Sequence, residues 1–137
     1  MFLVDTSAWI FALRKKSLPQ LKKRIGQLLM LDIVKTFGMI RLEILGGAKT
    51  EEEFNRLKDR IGALEEISCD AELWESAGRL SFDLRRKGLT IPSTDILIAS
   101  AALKSGSTLL HADSHFDIIA SETDLKVESY ISQIKKS

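Results

Sequence analysis

Short apolar runs closed by turn residues alternate with segments of helical period along this chain, and that alternation points to a mainly parallel sheet covered by helices. Met1 to Val4 is the first run. Thr6 or Ser7 can cap a helix through Trp9, Ile10 and Leu13, and a second helix covers Leu18 to Met30. A strand at Asp32 to Thr36 leads into a helix from Phe37 to Leu45, stopped by Gly46-Gly47. Thr50-Glu51-Glu52-Glu53 has the form of a capping box opening another helix. Asp70 to Lys87 carries the clearest helical period, with Trp74, Ala77, Ser81 and Leu84 inward, and Glu75/Arg79 and Asp83/Lys87 as outer ion pairs. Gly88 ends it. Ser93 or Thr94 caps the segment Asp95 to Lys104, which is apolar nearly all round and therefore central. Thr108 to Ala112 reads as a buried strand and Lys126 to Ser129 as a short edge strand. The expected fold is α/β, a three-layer domain with a four- or five-stranded, mainly parallel sheet.

A length of 137 residues suits one domain, residues 1–137, with no repeat or linker to divide it. Hydrophobic residues at 45% and charged residues at 28% are ordinary for a water-soluble domain, and no apolar run is long enough to span a bilayer. The start MFLVDTS lacks a basic n-region, so a cytoplasmic chain with no membrane partner is expected. The single cysteine, Cys69, excludes an intramolecular disulfide and any Cys-pair metal motif. A net charge of +1 does not announce a nucleic-acid partner. The charges are nevertheless segregated: Arg14-Lys15-Lys16, Lys22-Lys23-Arg24 and Arg85-Arg86-Lys87 against Glu51-Glu52-Glu53 and Glu65-Glu66. That permits a basic rim, although the same clusters also suit solvated helix faces, so charge alone decides nothing.

Four acids interrupt or end apolar segments: Asp5, Glu43, Asp95 and Asp113. Asp5 and Asp113 fall at the carboxyl ends of expected strands, where open α/β sheets collect ligands. Asp95 lies in the first turn of its helix, where backbone N–H groups favour an anion. On a helical wheel Glu43 falls between Met39 and Ile40, with Arg41 on the opposite, wet side, so Glu43 is expected to point toward apolar neighbours. Like charges about 4 Å apart repel by roughly 4 kcal/mol at an effective dielectric of 20, and a domain is stable by only about 5 to 15 kcal/mol. Four converging carboxylates therefore need raised pKa values or a shared cation. Oxygen-only ligands select Mg²⁺ or Mn²⁺ over zinc. His111 and His115 form a His-x3-His pair, but with no cysteine or third histidine nearby it does not make a zinc site.

The segments LVDTSAWI, RLEILGG, TDILIASAA and LLHADSHF, in that order and over nearly the whole chain, resemble the four acidic motifs of PIN-domain ribonucleases, and most resemble the compact VapC-type toxins of toxin-antitoxin pairs. The resemblance implies a PIN-like fold and Mg²⁺- or Mn²⁺-dependent phosphodiester hydrolysis of RNA, leaving a 5′-phosphate and a 3′-hydroxyl. It matches Asp5, Glu43, Asp95 and Asp113 to the family's metal-site acids and Thr6 or Ser7 to the hydroxyl after the first of them, with Asp117 peripheral. In that reading Asp5, Asp95 and Asp113 hold the metal and Glu43 holds the attacking water. Two positions depart from the family pattern: His111 stands where Thr or Ser is frequent, and His115 where a further acid is frequent. Arg14, Lys15, Lys16, Arg85, Arg86 and His115 are candidates for RNA contacts. Trp9, Phe11 and Trp74 are read as packing or interface residues. The implied partners are the RNA substrate, a second copy of the chain in a homodimer, and a cognate VapB-like antitoxin. A non-toxin RNA-processing nuclease and a non-catalytic RNA- or partner-binding relative are the alternatives. A haloacid-dehalogenase phosphatase would need a second Asp where Ser7 stands, and a receiver domain would need paired acids near the first strand; neither pattern is present.

Overall fold

A computed structural model describes residues 1–13 and 18–135. The candidates Arg14, Lys15 and Lys16 lie outside the described residues. Five strands run in the order β3-β2-β1-β4-β5, all parallel: β1 (Phe2–Val4), β2 (Val34–Phe37), β3 (Glu65–Ile67), β4 (Thr108–His111) and β5 (Val127–Ser129). The helices are α1 (Thr6–Leu13), α2 (Pro19–Met30), α3 (Gly38–Gly46), α4 (Glu51–Gly62), α5 (Ala71–Arg86), α6 (Ser93–Ser105), α7 (Ser114–Glu122) and α8 (Ile131–Lys135). Among the described residues no helix is long and apolar enough to cross a membrane.

The central strands are apolar because both their faces are covered, as parallel sheets require. Leu3, Val4, Leu109 and Leu110 are fully buried. The helix expected to be central is central: in α6, Ile96 to Ala102 are all buried, including Ser100, whose hydroxyl donates back to the Ile96 carbonyl at 2.8 Å. Gly106 then turns the chain from α6 into β4 with a φ of 66°, a left-handed value that a side chain would resist. Val4 pairs with Leu110, so the residues that follow β1 and β4 emerge side by side at one edge of the sheet.

Several expectations needed correction. The strand β3 was not foreseen, because Glu65 and Glu66 are polar and exposed; as an edge strand it needs little apolar content, and its glutamates reach Lys35 at 3.9 Å and Arg41 at 3.0 Å on the neighbouring elements. The second strand begins at Val34, after a turn in which Asp32 takes a φ of 55°. On α5 Ala77 and Leu84 are buried as expected and Ser81 is half-buried, but Leu73 takes the inward place assigned to Trp74, which is 58% exposed. The outer ion pairs there are Arg79–Asp83 at 3.2 Å and Lys87–Glu122 at 2.9 Å, instead of Glu75/Arg79 and Asp83/Lys87. Neither Ser93 nor Thr94 caps α6: Pro92 occupies that position, with no side-chain cap bond. The capping residues Thr50 and Asp70 do accept from the N–H groups of Glu53 and Leu73. Helices α7 and α8 were also unforeseen.

Candidate active site

The hollow is built at the carboxyl ends of β1 and β4. Asp5 continues β1, its N–H donating to the Leu110 carbonyl at 2.9 Å, and its own carbonyl accepts from Ala8 and Trp9 to start α1. The turn directs the carboxylate back over its own chain, where Oδ2 accepts from the Ser7 N–H at 2.9 Å and the Ser7 hydroxyl at 2.6 Å. Ser7 Oγ in turn accepts from the Ala112 N–H at 2.9 Å, a link between segments 105 residues apart that clamps the end of β1 to the end of β4. Asp5 is only 3% exposed. Burial pushes its carboxyl up to about 6, the charges of Asp95 and Glu43 add to the rise, and the two bonds from Ser7 oppose it.

Asp113 caps α7, accepting from the His115 N–H at 2.9 Å, and its own N–H donates to His111 Nδ1 at 3.2 Å. Asp95 projects from the first turn of α6. Burial raises its carboxyl above the usual carboxylate range, the charges of Asp113 and Glu43 acting in the same direction, and the contact with His115 opposes both. His115 closes the arrangement: Nδ1 lies 2.9 Å from Asp95 Oδ2 and 3.3 Å from Asp113 Oδ1. One ligand atom from each of Asp95, Asp113 and His115 falls within 4.8 Å of the others.

Asp5 and Glu43 stand outside that tight set and join it through their charges on the neighbouring acids. The expectation that Glu43 points into apolar surroundings is wrong: the residue is exposed and its Oε1 accepts from the Thr6 hydroxyl at 2.8 Å. The wheel correctly separated its face from that of Arg41, which pairs with Glu66, but α3 lies at the rim, so that face meets the hollow and solvent together. Both hydroxyls after Asp5 are therefore used, Thr6 on Glu43 and Ser7 on Asp5. Among the described residues, no lysine or arginine pairs with any of the four acids.

The remaining candidates sit at different distances from this centre. Asp117 is engaged behind it, with Oδ1 3.1 Å from His111 Nε2 and Oδ2 accepting from the Ser129 hydroxyl at 2.9 Å. The His111 contact is close but misaligned for a hydrogen bond. His111 is fully buried against Phe116, and burial lowers its pKa, so it works as a neutral ring whose Nδ1 holds the Asp113 amide. Sequence reasoning marked His111 as a departure and as half of a His-x3-His pair; a histidine closing a buried apolar strand signals that it must find partners there. The two histidine rings face different acids, His111 against Asp117 and His115 against Asp95. Arg85 and Arg86 are exposed in the last turn of α5, with the Arg86 guanidinium 5.6 Å from the centroid of Phe82. Trp9 is buried and Phe11 half-buried, in keeping with packing. A separate groove of about 590 Å³ between α1, α2 and α4 is walled by Trp9, Ile25, Leu29, Leu57 and Ile61 and contains none of the four acids.

This donor set suits a divalent cation. It supplies hard carboxylate oxygens and one imidazole nitrogen, and the acids carry repulsion and burial that a cation would relieve. Residues 2–122 match the PIN domain family. The chain is 32% identical over 132 residues to Ribonuclease VapC18 of Mycobacterium tuberculosis, covering 93% of each chain. It is 31% identical over 136 residues to Ribonuclease VapC11 of the same species, covering 95% of this chain and 99% of that one. In fold it is similar to a chain of VapBC2 from Rickettsia felis, solved bound to a promoter DNA fragment, with a TM-score of 0.78 at 24% identity over 94% of this chain and 98% of the other. A chain of DNA-bound VapBC from Salmonella typhimurium gives 0.75 at 21% identity over 93% and 96%.

Proposed function

Because the chain belongs to the PIN-domain family and is most like its VapC ribonucleases, we propose that it is a divalent-metal-dependent endoribonuclease, the toxin of a VapBC-type pair. The observation that carries the reading is the buried carboxyl of Asp5, pushed up to about 6 in the company of Asp95 and Glu43 with no basic side chain paired to it among the described residues. Such a group has been taken out of water with two hydrogen bonds from Ser7 but no basic partner among the described residues, and a bound cation would supply the missing opposite charge.

In this proposal Asp5, Asp95 and Asp113 hold Mg²⁺ or Mn²⁺. When bound, the ion polarises the scissile phosphate, lowers the pKa of the attacking water and offsets charge on the leaving oxygen. The chain's own residues do the rest. Glu43, open to solvent and fixed by the Thr6 hydroxyl, is placed to hold the attacking water and take its proton at Oε2, leaving Oε1 to Thr6. Ser7 fixes the Asp5 carboxylate and, through Ala112, the approach of Asp113, so the two strand ends stay in register. Arg85 and Arg86, together with residues 14–16, are the proposed contacts to RNA phosphates. A homodimer and an antitoxin that silences the acidic hollow complete the proposal.

The test is a cleavage assay on a mixed RNA substrate with purified protein, with Mn²⁺ or Mg²⁺ against chelator. The expected result is metal-dependent internal cleavage leaving 5′-phosphates, lost in Asp95→Asn. Cleavage that survives both chelation and Asp95→Asn would overturn the proposal.

A further inference from the structure

The metal centre proposed above is assigned three carboxylates, yet the tightest cluster of ligand atoms in the hollow contains only two of them together with a histidine. His115 Nδ1 stands 2.9 Å from Asp95 Oδ2 and 3.3 Å from Asp113 Oδ1. Adjacent ligands on an octahedral ion, each about 2.1 Å from the centre, are about 3 Å apart. His115 Nδ1 thus stands at about the spacing of a neighbouring corner from an oxygen of each carboxylate, and the ligand atoms of all three residues lie within 4.8 Å of one another. The backbone that carries the ring is anchored, since the N–H of His115 is tied to Asp113 Oδ1 at 2.9 Å and α7 begins at Ser114. The side chain is 38% exposed, with Nδ1 turned to the two carboxylates.

Resting on the functional reading above, we infer that His115 Nδ1 is a direct ligand of the divalent ion beside Asp95 and Asp113, and that this nitrogen biases the site toward Mn²⁺ over Mg²⁺. The chemical reason is donor hardness. Mg²⁺ keeps water and carboxylate oxygens and accepts imidazole poorly, whereas first-row transition ions take imidazole readily. A carboxylate at position 115 would leave an all-oxygen set with no such bias. The other histidine in the chain cannot supply the nitrogen: His111 Nδ1 already accepts from the Asp113 N–H, its Nε2 lies against Asp117, and the ring is fully buried. A nitrogen coupled to the bound ion therefore identifies His115.

The experiment uses the untagged full chain loaded with Mn²⁺ alone and reads pulsed electron paramagnetic resonance for ¹⁴N modulation, alongside calorimetric titration with Mn²⁺ and with Mg²⁺. Wild type is expected to show imidazole ¹⁴N modulation. His115→Gln should lose it and weaken Mn²⁺ binding by about 10-fold or more, while Mg²⁺ binding moves by less. His115→Asp provides a second variant with an all-oxygen set; it should bind both ions, show no ¹⁴N modulation, and have a lower Mn²⁺/Mg²⁺ preference than wild type. Mn²⁺ bound to wild type without ¹⁴N modulation, or modulation that persists in His115→Gln, overturns the inference while leaving the metal-site reading standing. Mn²⁺ binding that is absent in wild type, or unaffected by Asp95→Asn, overturns that reading as well.

Discussion

Asp5 and Glu43 border the same hollow, one in its buried wall and the other at its rim. Asp5 is 3% exposed, bound twice by Ser7, and has its carboxyl pushed up to about 6, with burial as the largest cause. Glu43 stands at the rim, exposed, with Thr6 donating to it. The cost of gathering these carboxylates is therefore not shared evenly: desolvation dominates at Asp5, with smaller contributions from the charges of Asp95 and Glu43, whereas solvent reaches Glu43 at the rim. The two acids can be equally necessary to chemistry while differing widely in what they cost the fold.

That contrast is open to direct attack, and the largest expected effect tests what the two acids share. Asp5→Asn and Glu43→Gln should each lower metal-dependent RNA cleavage by about 100-fold or more, measured as initial rates on a labelled RNA. A variant that kept the wild-type rate would remove that acid from the reaction. Stability should then separate them. Without metal, Asp5→Asn is expected to gain about 3 kcal/mol at pH 8, since the carboxyl rises from 3.8 to about 6 and each pH unit corresponds to about 1.4 kcal/mol. The sign follows from proton binding. Between about pH 4 and 6 the folded state keeps a proton that the unfolded chain has released, so wild-type stability falls as pH rises through that window and the full penalty stands above it. Urea melts at pH 4 and pH 8 should show the gain from Asp5→Asn only at the higher pH. Equal gains at both would mean that burial of the charge is not its source.

Behind the buried wall, His111→Ala is expected to cost about 1 to 3 kcal/mol, because the Asp113 N–H loses its acceptor and Phe116 loses its ring neighbour. Faster hydrogen exchange at the Asp113 amide would accompany the loss in the denaturation midpoint, and unchanged exchange would show that His111 does not hold that amide. The smallest effect belongs to the rim. Glu43→Gln should change metal-free stability by less than about 0.5 kcal/mol. A shift above about 1 kcal/mol in the same urea melts would place Glu43 in the strained wall with Asp5.

How much could be read from the residues varied from element to element. The all-round apolar pattern of Ile96 to Leu103 announced a buried helix, and Leu109-Leu110 announced an interior strand, since both sit where every face is covered. The strand β3 gave no such signal because Glu65 and Glu66 serve an edge, with partners on other elements. Trp74 misled because a stripe through Ala77 can be continued backward by three residues or by four, and the fully buried residue is Leu73. At the site, the four acids could be picked out as interruptions of apolar segments, but their environments could not. Glu43 was placed inside by a wheel that knows only one helix, and nothing in the sequence showed that His115, a candidate for RNA contact, turns its Nδ1 to Asp95 and Asp113.

Local periodicity and turn chemistry by themselves determined the alternation of strands and helices, hence a parallel sheet, hence the delivery of Asp5 and Asp113 to one edge of it. Tertiary structure alone decided which acid is dehydrated, that Ser7 reaches Ala112 across 105 residues, and that an imidazole sits between two carboxylates. The reason is range: hydrophobic period is written in neighbours three or four residues apart, whereas burial and pKa depend on groups that meet only after the chain has closed on itself.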